Sequence, residues 1–157
     1  MSARKSLFVA GMTIILALLL GSTASAQSVK GPGETRYAIY VWDFVYQFKV
    51  NAYARNGTAG GNIQLTTTTT TYPFPDCSGL CHTTTTTTRE TYSVVSLTVT
   101  GNQADVWARA QSDQTLHEFI FVDNGNGSGA PDQFGWDGLV LWPNSLALTK
   151  GNITVTP

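Results

Sequence analysis

Two runs of threonine carry the most concentrated side-chain chemistry in the sequence: Thr66, Thr67, Thr68, Thr69, Thr70 and Thr71, then Thr83, Thr84, Thr85, Thr86, Thr87 and Thr88. Each residue presents a hydroxyl that donates and accepts, and a methyl that packs. Its β-branched carbon is stiff at χ1 and favours extended backbone. On a strand, same-face side chains repeat about every 6.8 Å, and the neighbouring strand lies about 4.8 Å away. The chemistry on offer is therefore a hydroxyl and methyl grid able to meet an ordered surface, or a β-prone uncharged edge able to meet another strand.

The segment between the runs reads Tyr72-Pro73-Phe74-Pro75-Asp76-Cys77-Ser78-Gly79-Leu80-Cys81-His82. Its near symmetry about Cys77 predicts a hairpin with Thr71 opposite Thr83 and Thr66 opposite Thr88. The same register sets Leu65 opposite Arg89 and Ile63 opposite Thr91. Cys77 and Cys81 are expected to form a disulfide at the tip. The competing arrangement is a zinc site of Asp76, Cys77, Cys81 and His82. Tyr72, Phe74 and Leu80 would form an exposed apolar tip able to touch a partner.

Other candidates are sparser. Asp123 and Asp132 bracket a Gly-rich loop of carbonyls and carboxylates, which makes them weak calcium candidates, although the spacing fails the EF-hand pattern. No other cofactor is expected. His117 and Glu118 are adjacent on a strand and should point to opposite faces. Asp105 and Asp137 could flank a glycosidic bond, but nothing selects them. No G-x-S-x-G or H-E-x-x-H occurs, so no catalytic residue is expected and the chain reads as a non-enzyme. Trp107, Trp136 and Trp142 could stack on sugars or simply pack. Asn56, Asn126 and Asn152 begin N-x-[ST] triplets, which matter only in a glycosylating host.

The elements that must hold these residues alternate with period 2. Phe44, Tyr46, Phe48, Val50 and Ala52 share one face of a long strand, and a shorter strand around Tyr37–Val41 precedes it. Asn56-Gly57 and Gly101-Asn102 are hairpin turns. Val95, Leu97 and Val99 alternate with polar residues, as do Ala104, Val106, Ala108 and Ala110. Leu116–Val122 reads as a central strand covered on both faces. Strands follow over Phe134–Trp142, Leu146–Thr149 and Asn152–Thr156. The fold class is all-β, an antiparallel β-sandwich of about eight strands with the Thr-rich hairpin protruding as a two-stranded ribbon.

The first residues are an address. Arg4 and Lys5 precede the apolar stretch Leu7–Leu20 and the small-residue ending Ala24-Ser25-Ala26. This is a signal-peptide pattern, so residues 1–26 are expected to be a removed export helix, and 27–157 a single domain with 66–88 as its insert. The expected location is secreted, extracellular or periplasmic, with no membrane span after cleavage. The formal net charge of −1 with only 12% charged residues offers no field for a nucleic-acid backbone.

Val95-Ser96-Leu97-Thr98-Val99-Thr100-Gly101-Asn102-Gln103-Ala104 resembles a block of the post-COAP domains of secreted bacterial proteins. Phe119-Ile120-Phe121-Val122-Asp123-Asn124-Gly125, the following Phe134 and the closing Gly151-Asn152-Ile153 are similar to that family as well. The resemblance covers about 44–65 and 92–157. It implies a small extracellular β domain without an established enzymatic mechanism, and the threonine insert departs from it. The threonine grid, in turn, resembles the arrays of ice-binding proteins. Three roles for the insert stay open: self-association into filament or matrix, contact with an ice, glycan or mineral surface, or an expanded repeat with no selected role. O-glycosylation, for which Thr-rich tracts beside proline are suited, would block the first two.

Overall fold

The computed structural model describes residues 26–73, 82–125, 129–137 and 146–157. The expected export segment (except Ala26), Phe74, Leu80, Trp142 and the Cys77–Cys81 bridge lie outside the described residues.

Among the described residues, ten antiparallel strands form one sheet. They are β1 (Gln27–Ile39), β2 (Trp42–Arg55), β3 (Thr58–Thr71), β4 (Thr84–Thr100), β5 (Gln103–Ala110), β6 (Leu116–Val122), β7 (Gln133–Trp136), β8 (Leu146–Ala147), β9 (Lys150–Gly151) and β10 (Thr154–Thr156). The order is β10-β1-β2-β3-β4-β5-β6-β7-β8, with β9 also paired to β1. No helix occurs among the described residues, and none there could cross a membrane.

Alternation builds the strands as the sequence implies. In β2, Tyr46, Phe48, Val50 and Ala52 are buried while Gln47, Lys49 and Asn51 are exposed. In β5, Ala104, Val106, Ala108 and Ala110 face inward, and Trp107 and Arg109 face outward. Asn56 and Gly57 both adopt positive φ (51° and 75°), which lets the β2–β3 hairpin turn in two residues.

The architecture differs from two facing sheets. Phe48 in β2 stacks on Phe134 in β7, with ring centroids 4.4 Å apart, and meets Phe121 in β6 edge-on at 5.5 Å. Four strands separate β2 from β7 in the sheet order, so the sheet curls until its inner face packs on itself, as a half-barrel. One buried face per strand is all that alternation specifies, and a curled sheet satisfies it as well as a sandwich does. Two local features favour the curl. An irregularity between Val94 and Ser96 bends β4, so Val94 and Leu97 both point inward and Val95 is left exposed, against the simple alternation expected there. Gly33 in β1 lies directly under the Phe48 ring; a Cβ at that position would sit 2.3 Å from Phe48 Cζ. β6 is fully covered only on the side of Phe119 and Phe121, while Ile120 and Val122 are half-buried and Leu116 is exposed.

A seam joins the two flanks. β8 pairs with β7 and β9 with β1. Between them, Thr35 Oγ1 donates to Ala147 O (2.8 Å), Thr149 N to Glu34 O (2.7 Å) and Leu148 N to Asp132 O (2.8 Å).

Candidate functional site

The first threonine tract is not half of an isolated ribbon. Thr66 to Thr71 lie in β3 between two partners: β2 from Gln47 to Trp42, and β4 from Arg89 to Thr84. β1 continues beside β2 as far as Ile39 opposite Trp42. The arm is thus four strands wide. A two-stranded threonine ribbon is marginal in water; here β2 supplies the second set of backbone hydrogen bonds that β3 would otherwise lack.

The register is one residue away from the symmetric pairing. Thr71 faces Thr84, Thr67 faces Thr88, Thr66 faces Arg89 and Leu65 faces Glu90; Thr83 precedes the strand and is exposed. The body decides this. Ile63 opposite Tyr92 puts the Tyr92 ring into the core, edge-on to Phe119 at 4.9 Å. The expected pairing of Ile63 with Thr91 would turn Tyr92 to solvent, because a one-residue slip exchanges the faces.

The faces follow from that register. Thr66, Thr68, Thr70, Thr85 and Thr87 lie on the outer face. Thr68 and Thr87 hydroxyls approach to 3.3 Å, and those of Thr70 and Thr85 to 3.4 Å. On the same face the Arg36 guanidinium forks onto Asp43, whose carboxyl it holds below the usual carboxylate range, chiefly through these hydrogen bonds. Thr67, Thr69, Thr71, Thr84, Thr86 and Thr88 lie on the inner face, level with Tyr46, Phe44 and Trp42.

The two tracts differ in access. The β3 threonines are half-buried, whereas Thr84–Thr88 are exposed. β4 meets β5 only from Tyr92 onward, where Tyr92 faces Ala110. Gln111 N donates to Thr91 O (2.9 Å), and Ser112 N to Glu90 Oε1 (3.2 Å). Hydrogen bonds from Ser112 are the main reason that the Glu90 carboxyl is held below its ordinary range. Beyond them, no strand among the described residues pairs with the outer edge of Thr84–Arg89.

At the arm's end Tyr40 is 94% exposed and adopts positive φ (51°), uncommon for an aromatic residue. Trp42 and Tyr72 are also exposed, and Tyr72 N donates to Val41 O (2.7 Å). Of the tip expected from sequence, Tyr72 is exposed as anticipated. Tyr40 and Trp42 were not anticipated, although carrying the β2 alternation back from Phe44 reaches Trp42.

Where the arm leaves the body, Tyr92, His117, Trp136 and Tyr46 gather. Tyr92 and His117 rings are 5.5 Å apart, Tyr46 and Trp136 6.2 Å. His117 Nδ1 lies 2.9 Å from Asp137 Oδ1, while Glu118 N donates to Asp137 Oδ2. Burial above all, and then nearby carboxylates, pushes the Tyr92 phenol up to about 12. Asp105 is elsewhere, on the outer face of β5, accepting from Gln103 (2.8 Å). Trp107 is exposed on that outer face, and Trp136 stacks on Phe119.

Asp123 and Asp132 spend their oxygens on backbone amides. Asp132 accepts from Asn124 N (2.9 Å) and Ile153 N (2.7 Å); Asp123 accepts from Gly125 N (2.8 Å) and Val155 N (3.1 Å). The two carboxylates latch the C-terminal segment to the loop, and no metal-ligating cluster of three occurs among the described residues. No family model, curated protein or solved structure matches the chain.

Proposed function

We propose that this chain is an exported, non-catalytic β domain that associates with further copies of itself by strand addition along the free edge of β4. The observation that carries the reading is Thr84–Arg89, paired on one side with β3 and on the other with no described strand. Five of these six residues are uncharged threonines, without the lysines or prolines that blunt natural edges. Such an edge offers a row of unpaired backbone groups to another strand. The export pattern at residues 1–26 and the likeness to post-COAP domains support an extracellular setting for the resulting filament or matrix.

Sedimentation velocity and electron microscopy test this over a range of concentrations. Wild-type protein should form oligomers or fibres, and Thr85→Lys with Thr87→Lys should leave a monomer. A wild type that stays monomeric at high concentration refutes it.

The paired hydroxyls of Thr68 with Thr87 and Thr70 with Thr85 favour a second reading, contact with an ordered surface such as ice through the outer face. Thr68→Lys with Thr70→Lys, on an interior strand, separates the two. It should abolish ice shaping under the second reading and leave assembly unchanged under the first.

A further inference from the structure

We propose that the inner face of the arm is a binding site for an extended, uncharged polysaccharide, distinct from the β4 edge. Trp42, Phe44 and Tyr46 occupy successive same-face positions of β2, a row of about 14 Å. The Phe44 and Tyr46 rings are stacked, 6.3 Å apart with planes 10° from parallel, which leaves Trp42 as the exposed ring of the row. Access rises along the row. Tyr46 is 6% exposed at the body, Phe44 is half-buried, and Trp42 is 43% exposed toward the end of the arm. The row begins as core and ends as surface, and its outer member adds little to the packing of the barrel.

Beside the row run hydroxyls. Thr69 faces Phe44 across β2 and β3, and Thr86 faces Thr69 across β3 and β4. An exposed aromatic face next to hydroxyl rows matches the two surfaces of a sugar ring: its C–H face packs on Trp42, and its hydroxyls exchange hydrogen bonds with threonine. Charge selects among polysaccharides. The inner-face positions of the arm from Thr67 to Thr71, with their partners in β2 and β4, hold no formally charged side chain. The Arg36–Asp43 pair lies on the opposite face. None of these described positions compensates a uronate or sulfate, so the matching ligand is neutral.

The test is native affinity electrophoresis of the secreted protein through gels containing mixed-linkage β-glucan, galactomannan or, as the anionic control, alginate. Retardation by a neutral polymer and not by alginate is expected. Trp42→Ala, which removes a largely surface ring, should weaken it about tenfold, the size of one lost ring contact. Thr69→Val keeps the shape, removes the hydroxyl and should weaken it several-fold. Trp107→Ala on the outer face should change nothing, nor should the Thr85→Lys, Thr87→Lys monomer. Thermal unfolding checks that each variant is folded. Absence of retardation by either neutral polymer, equal retardation by alginate, or full binding by folded Trp42→Ala overturns the proposal. So does a Trp42→Ala change in oligomeric state without any polysaccharide binding, which would make this face a contact between copies.

Discussion

Asp132 shows how much one buried carboxylate does in this chain. Its two oxygens receive amides from Asn124, close in sequence, and from Ile153, 21 residues away. Hydrogen bonds to charged groups exceed neutral ones in worth, and a buried amide left without an acceptor adds its own desolvation cost. Asp132→Ala should therefore destabilise the fold by about 2–4 kcal/mol in urea titrations, with the C-terminal strand the first segment cut in limited proteolysis. In the sequence the same residue contributes two of several oxygens in a Gly-rich loop, and on that ground it reads as a weak calcium candidate. One of the amides that occupy it, Ile153 N, comes from the segment just before β10, and its approach depends on the curl of the whole sheet. Spacing within the loop carries no trace of that.

At the level of elements, β3 and β4 contain the same tract in two environments. Hydrogen exchange should separate them. In dilute protein the β3 tract, bonded on both sides, should be protected throughout, while only those β4 amides that point to β3 should be protected. The remaining β4 amides should gain protection on assembly; uniform fast exchange across both tracts would contradict the arm described here. The strands themselves were largely legible, because β2 and β5 alternate cleanly. The register within the arm was not, since a homopolymer pairs equally well in any frame and the deciding residues, Ile63 and Tyr92, lie outside it. Gly31-Pro32-Gly33 sits inside β1, although proline and glycine usually interrupt strands. It is tolerated there because β1 meets only short strands on its far side, and Gly33 makes room for Phe48. The irregularity at Val95 was hidden for a related reason: two adjacent valines allow either to be the inward one.

For the molecule as a whole, closure rests on aromatic contacts between strands far apart in the sheet. Phe134 touches Phe48, Phe119 and Phe121. Phe134→Ala removes one of the contacts between the flanks and should cost about 3–5 kcal/mol. The loss should be cooperative, with near-ultraviolet circular dichroism and tryptophan emission changing together, because a single core serves the whole sheet. A variant that lost only the β7–β8 flank, leaving the β1–β4 signal intact, would show instead that the two flanks fold as separate units.

The pairing of Ile63 with Tyr92 at the root of the arm bears on how such a chain changes over generations. Every threonine in a tract is interchangeable with the next, so a copying slip that adds one does not alter which residue follows Leu65 or precedes Arg89. The surplus is handed outward, and one residue added to each tract lengthens the pair by about 3.4 Å, while the curled sheet keeps its frame. Reach can thus drift by single-codon steps under a constant body, as a ruler might be recut without touching its handle.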